Sequence, residues 1–149
     1  MTREALMRAA LEEAALALAL GEVPVGAVIA RGGEIIARAH NERETGGDPT
    51  AHAEVLAIRR AAEALGTRRL SGCTLLVTLE PCPMCAGAIV MAQLSGVVFG
   101  AYDPKAGCCG SVYALPEDAA FGAAVPCTGG LLEEDCRAIL DRFFAEKRE

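Results

Sequence analysis

The chain has 149 residues, 52% of them hydrophobic, enough for one compact domain with a real core and too few for two ordinary ones. A formal charge of -6 argues against a generic nucleic-acid coat, because phosphate binding draws on lysine and arginine, yet it leaves room for a local basic site. Seven cysteines, an odd number in an aliphatic-rich chain, favour metal binding over a disulfide framework.

The first segment, from about Thr2 to Leu20, is rich in Ala, Leu and Glu without Gly or Pro and predicts a helix that Gly21 closes. Its least charged part, Ala14 to Leu20, is far shorter than the ~20 apolar residues a bilayer span needs. No basic leader or convincing cleavage site accompanies it, so a cytoplasmic protein with no membrane association is expected. Val25 to Ala30 and Glu34 to His40 flank Arg31-Gly32-Gly33 and predict an antiparallel hairpin, the Gly pair taking the positive φ angles of a tight turn. Asn41 to Pro49 is polar and reads as a loop, leading to a second helix capped by Thr50 and running to about Leu65. Thr74 to Leu79 predicts a buried strand stopped by Pro81, and Pro83 to Gln93 a third helix with proline in its first turn. Val97 to Ala101 predicts a fourth strand, followed by a loop rich in glycine and cysteine, Asp103 to Gly110. A short strand near Ala123 to Cys127 and an amphipathic helix from about Leu131 to Lys147 complete the pattern. A hairpin followed by alternating helices and strands implies one domain, residues 1–149, with a mixed sheet of about five strands covered by helices on both faces.

Two short motifs carry chemistry: His52-Ala53-Glu54 and Pro81-Cys82-Pro83-Met84-Cys85. One imidazole and two thiolates make three zinc ligands and leave the fourth tetrahedral position for water, as a catalytic site requires. Cys82 and Cys85 are three apart at a helix start, where both sulfurs face one spot and the helix dipole favours their ionised form. His52 and Glu54 are two apart and converge only in a helix's first turn, so two helix N-termini are expected to meet around the metal. One zinc ion lowers the pKa of its bound water toward neutrality, and the resulting hydroxide attacks an electron-poor ring carbon bearing an amino group. Glu54, not itself a ligand, would shuttle the protons to the ring nitrogen and the departing ammonia. A lone Cys-x-x-Cys also occurs in thioredoxin-like redox sites, but that reading explains neither His52 nor Glu54. Cys108 and Cys109 are the nearest spare thiols that could close the site as a structural one.

At these motifs the chain resembles the bacterial tRNA adenosine deaminases of the cytidine deaminase-like superfamily. The resemblance runs through Val23-Pro24-Val25-Gly26-Ala27-Val28, Asp48-Pro49-Thr50-Ala51-His52-Ala53-Glu54, Thr78-Leu79-Glu80-Pro81-Cys82, Met84-Cys85-Ala86-Gly87-Ala88, Val97-Val98-Phe99-Gly100-Ala101 and the final Phe143-Phe144 helix. It implies a three-layer α/β/α cytidine deaminase-like fold, a homodimer, one zinc per subunit, and conversion of adenosine to inosine at the wobble position of a tRNA anticodon stem-loop. It also implies that Asn41 hydrogen-bonds the flipped base, that the backbone around Ala53 contacts its polar edge, that Val25 lines the pocket, and that Asp103 belongs to a substrate loop. Asn41 read alone is a turn residue satisfying its own backbone. Phe143 and Phe144 are stacking candidates for flanking nucleotides, or one or both pack the last helix onto the core.

Other readings stay open at this level. A deaminase of a free purine or pyrimidine base or nucleoside, such as a guanine deaminase, shares the zinc signature and suits an acidic protein. A catalytically idle zinc scaffold would have no use for Glu54. The basic residues Arg59, Arg60, Arg68, Arg69, Lys105, Arg142, Lys147 and Arg148 read singly as solvated faces. Cys108-Cys109 stands where the family tends to carry small residues; the pair is inert, oxidation-sensitive or metal-binding. Cys73, Cys127 and Cys136 are read as buried core thiols. Glu80 is read as interacting with the start of the third helix, or as support for the zinc ligands.

Overall fold

A computed structural model describes residues 1–122 and 124–147. Arg3–Ala19 forms α1, capped by the Thr2 hydroxyl, which accepts the Ala5 N–H at 3.0 Å. The hairpin follows as β1 (Gly26–Arg31) and β2 (Glu34–His40), with Gly32 and Gly33 at positive φ in the turn and a bulge at Ile29/Ala30. Then come α2 (Ala53–Leu65), β3 (Cys73–Leu79), α3 (Pro83–Ala92), β4 (Gly96–Ala101), two 3-10 turns (Leu115–Glu117 and Ala119–Phe121), β5 (Cys127–Thr128) and α4 (Glu133–Lys147).

The five strands form one mixed sheet in the order β2-β1-β3-β4-β5. β1 is antiparallel to β2 and β3, whereas β3, β4 and β5 run parallel. The central strands are buried on both faces, which is why Leu75-Leu76-Val77 and Val97-Val98-Phe99 read as continuous apolar runs rather than alternating ones. Helices α1 and α4 pack together on one side of the sheet, and α2 and α3 contact each other on the other side, giving three layers. Two glycines permit the close helix approach. A Cβ at Gly26 would fall on the α1 backbone at Ala10, and one at Gly100 on the Cys136 sulfur of α4.

Three differences from the sequence reading have local causes. The α2 cap is His52 rather than Thr50: the Asp48 carboxylate accepts both the Thr50 hydroxyl (2.7 Å) and its N–H (2.8 Å), holding Thr50 in a turn before the helix. The fifth strand is only Cys127–Thr128; of the segment expected there, Ala123 lies outside the described residues. Cys73 and Cys136 are buried, but Cys127 is only half-buried, because its strand is the short edge of the sheet.

The topology gathers the chemistry at one end of the sheet. The end of β2 leads to Asn41, the end of β3 to Glu80 and Cys82, and the end of β4 to Asp103. The antiparallel β1 begins at that same end, next to Val25. A crevice outside the carboxyl ends of parallel strands is where open α/β sheets place their ligands.

Candidate metal centre and active site

The N-termini of α2 and α3 meet at this crevice. His52 and Cys82 are the N-caps of the two helices, and neither uses its side chain to cap. Their side chains turn to each other instead. The sulfurs of Cys82 and Cys85 each lie 3.6 Å from His52 Nδ1. Tetrahedral bonds of about 2.05 Å to nitrogen and 2.3 Å to sulfur place N and S about 3.6 Å apart, so the spacing is that of ligands on one zinc ion. Among the described residues this is the group of His, Cys, Asp and Glu side chains whose ligand atoms come within 4.8 Å of one another. Cys108 and Cys109 do not join it. Both are buried, and the Cys108 thiol donates to the Ala106 carbonyl at 3.5 Å. Among the described residues the set therefore offers three protein ligands, the number that suits a zinc centre whose fourth position takes water.

The protonation chemistry fits a cation. The Cys85 thiol donates to Cys82, and with His52 alongside this brings Cys82 down to about 4 against the opposing effect of burial. The same bond, together with burial, pushes Cys85 up. A thiolate at Cys82, with His52 and Cys85 beside it, is the donor chemistry a divalent ion takes. His52 is raised by its hydrogen bond to Cys82. Glu54, in the first turn of α2 and 4% exposed, is pushed up to about 7 by burial. A carboxyl buried beside the triangle and not needed as a ligand is placed to take and return protons.

Asn41 builds the start of α2. Its Oδ1 accepts the buried Ala53 N–H at 2.8 Å, and its Nδ2 donates to the Val23 carbonyl at 3.0 Å. A residue twelve positions upstream thus satisfies a helix donor that the local cap leaves free. It follows that the Ala53 N–H is engaged within the protein, and Ala53 itself is fully buried. On the same side of the crevice the buried carboxylate of Glu22 accepts the N–H groups of Glu44 (3.1 Å) and Thr45 (2.6 Å), fixing the loop that carries Arg43.

These groups enclose a cleft of about 210 Å³ whose walls include Val25, Asn41, Arg43, His52, Glu54, Cys82 and Asp103. That is below the roughly 300–1,000 Å³ typical of pockets for drug-sized ligands and suits a single ring system. Two further clefts open beside it, sharing Val23. One of about 360 Å³ is bordered by Lys105, Arg137 and Phe144, the other of about 410 Å³ by Arg43, Phe143 and Lys147. Phe143 is 8% exposed and Phe144 45%, so the first mainly packs α4 while the second presents its ring. Glu22 and Arg43 also shape the site and carry no signal in the sequence, since nothing local marks a lone acidic or basic residue as buried or inward-facing.

Three metal ligands, an open coordination position and a buried non-ligand carboxylate define a single-zinc hydrolase centre on an α/β/α scaffold. The family described as the cytidine and deoxycytidylate deaminase zinc-binding region matches residues 1–101. A tRNA-specific adenosine deaminase of Bacillus subtilis (strain 168) is 53% identical, covering 100% of this chain and 93% of the relative. A solved structure from work on A-to-I editing by tRNA:A34 deaminases at the wobble position superposes with a TM-score of 0.89 at 43% identity, covering 93% of this chain and 100% of that one. A guanine deaminase structure from Bacillus subtilis matches at 43% identity but with a TM-score of 0.66, over 68% of this chain and 66% of that one. The chain belongs to the zinc-binding cytidine and deoxycytidylate deaminase family, on the branch of the tRNA-specific adenosine deaminases.

Proposed function

We propose that this protein converts adenosine to inosine at the wobble position of a tRNA anticodon by hydrolytic deamination. The observation that carries the chemistry is the His52–Cys82–Cys85 triangle with its 3.6 Å separations and the buried Glu54 beside it. The substrate follows from likeness to tRNA-specific relatives over the whole chain.

His52, Cys82 and Cys85 would hold a zinc ion, which when bound would supply the Lewis acidity that makes a water nucleophilic near neutral pH. Val25, Asn41 and Asp103 line the same cleft as Glu54, so a flipped base entering it meets all four. Glu54 takes a proton from the attacking water and delivers it to ring N1 as the water oxygen bonds to C6. It then carries the second water proton to the amino group, which leaves as ammonia. Burial of Glu54 keeps both transfers away from solvent. In this reading Asn41 contacts the base as well as bracing α2, and the backbone near Ala53 contributes groups other than its engaged N–H.

The anticodon stem-loop is held outside the cleft. Arg43, Lys105, Arg137 and Lys147 border the two flanking clefts together with Asp103, Glu22 and Glu44, offering local cations for phosphates on a protein whose net charge is -6. Phe144 stacks a flanking base, while Phe143 chiefly supports it: the two rings meet edge to face, with centroids 5.3 Å apart. Homodimerisation is supported by exposed Met84 and Met91 on α3 and by exposed Val112, Tyr113 and Phe121 in the segment that packs beside it. Among the described residues no helix is long and apolar enough to cross a membrane. A cytoplasmic location is the reading that the likeness to tRNA-specific relatives supports. One sheet with one core supports reading residues 1–149 as a single domain.

The test is mass analysis of a synthetic anticodon stem-loop after incubation with zinc-loaded protein. Inosine at the wobble position is expected. Unchanged adenosine, under conditions where a positive control reacts, overturns the proposal. The alternative, a free-base deaminase such as the guanine enzyme it partly resembles, would show a KM nearly insensitive to salt, whereas a tRNA enzyme loses affinity steeply as salt rises.

A further inference from the structure

Glu80 is a buried carboxylate whose partners are all in one segment, and none of them is a lysine or arginine. It stands just after β3, two residues before Cys82, and is 2% exposed. Its Oε1 accepts the Asp103 N–H at 3.0 Å and the Ser111 hydroxyl at 2.5 Å. Its Oε2 accepts the N–H groups of Cys109 at 3.1 Å and Ser111 at 2.9 Å. These four donors span the loop after β4. They do not belong to α3, whose start the sequence suggested as the partner.

The junction is tightened from the other side. The Cys108 N–H donates to the Pro81 carbonyl at 2.8 Å, so the loop is also tied to the residue between Glu80 and Cys82. Gly107 lies so close that a Cβ there would fall on the Glu80 carboxyl and on the Asp103 carbonyl, and only glycine lets the backbone wrap the carboxylate in this way. The loop held like this supplies Asp103 and Ala106 to the wall of the catalytic cleft, and Asp103 and Lys105 to the flanking one. A buried carboxylate stripped of its donors is strongly disfavoured, so Glu80 and the loop stabilise each other's position.

We propose that Glu80 is a positioning residue that fixes the loop from Asp103 to Ser111, whose Asp103 to Ala106 stretch faces the clefts, to the strand end that delivers Cys82. One carboxylate thereby sets the distance between Cys82 and the wall that would orient the base. The kinetic part of this inference rests on the anticodon-adenosine reading; the structural part does not.

The test is Glu80→Gln, which keeps the volume but replaces one acceptor oxygen by an NH2 facing donors. Amide hydrogen exchange at Asp103, Cys109 and Ser111 should accelerate by about tenfold or more, with zinc content and the α2 amides unchanged. With the stem-loop substrate, KM should rise by about tenfold while kcat falls less. Glu80→Asp, which restores the charge with shorter reach, should recover part of both effects. Gly107→Ala, which loads the same junction while leaving Glu80 intact, should reproduce the exchange and KM changes even where Glu80→Gln folds poorly. Native exchange rates in the Gln and Gly107→Ala variants would overturn the proposal, as would loss of zinc or of kcat at unchanged KM, which would place Glu80 with the metal instead. Should the native protein leave the stem-loop unreacted, the functional reading fails, and the exchange measurement still decides the role of Glu80.

Discussion

Replacing Glu54 by Gln separates catalysis from stability in opposite directions. The substitution keeps the shape of a 4%-exposed side chain and removes its ability to carry a proton. General acid–base catalysis is typically worth 10²–10⁴-fold, and Glu54 serves at both the attack and the departure, so a fall in kcat of about 10³–10⁴-fold is expected, or about 4–5 kcal/mol of barrier. Zinc content should stay at one per chain, because the ligands are His52, Cys82 and Cys85 in this account. Stability should move the other way. Burial lifts the carboxyl from 4.5 to about 7, which costs its ionised form about 3 kcal/mol in the folded state. Because the folded value is raised, this cost is absent below the unfolded value of 4.5, grows as pH rises and is complete above about 7. In metal-stripped protein, Glu54→Gln should therefore match the native chain at pH 4 and exceed its stability at pH 8 by up to about 3 kcal/mol, read by urea unfolding. Single-turnover rates on the stem-loop and metal analysis complete the assay. Turnover within tenfold of native would remove Glu54 from the mechanism. Equal stability at both pH values would contradict the account of its burial.

Other expectations follow from the same geometry. Asn41→Ala strands the Ala53 N–H and the Val23 carbonyl, at a cost of about 1–3 kcal/mol for each group that stays unpaired; thermal unfolding should show the loss, with Asn41→Asp, which keeps the acceptor, milder. Burial pushes the Glu22 carboxyl up, but the N–H groups of Thr45 and Glu44 outweigh it and hold the group below its ordinary 4.5. The stability this confers is present above that value and lost as pH falls through the folded one, so Glu22→Gln should cost about 1.5–3 kcal/mol near neutrality and progressively less in acid, measured by urea unfolding across pH. Phe144→Ala should raise KM for the stem-loop by about 1–3 kcal/mol equivalent with little loss of stability, whereas Phe143→Ala should lower the melting temperature.

What was legible in the sequence was what local pattern controls. The capped run of α1, the Gly-Gly hairpin and the apolar runs of β3 and β4 come from nearest-neighbour physics, and the structure places them within a residue or two of the predicted bounds. The zinc triangle was legible because two short motifs at helix starts each constrain their own geometry. Long-range partnerships were not. Asn41 read locally is a turn residue, yet it serves a helix twelve positions on. Glu80 read locally belongs to the neighbouring helix, yet its donors lie 23 to 31 residues away. Thr50 looked like a cap until Asp48 captured it. In each case a polar group had two plausible partners, and tertiary packing chose between them.

The most direct test of the central claim is deamination in heavy-oxygen water, with zinc-loaded protein and an anticodon stem-loop bearing one adenosine at the wobble position. The products are digested to nucleosides and weighed. The account predicts inosine from that position carrying one heavy oxygen from solvent, and none above background from Glu54→Gln. Adenosine left intact by a zinc-loaded protein that converts free guanine to xanthine would contradict it.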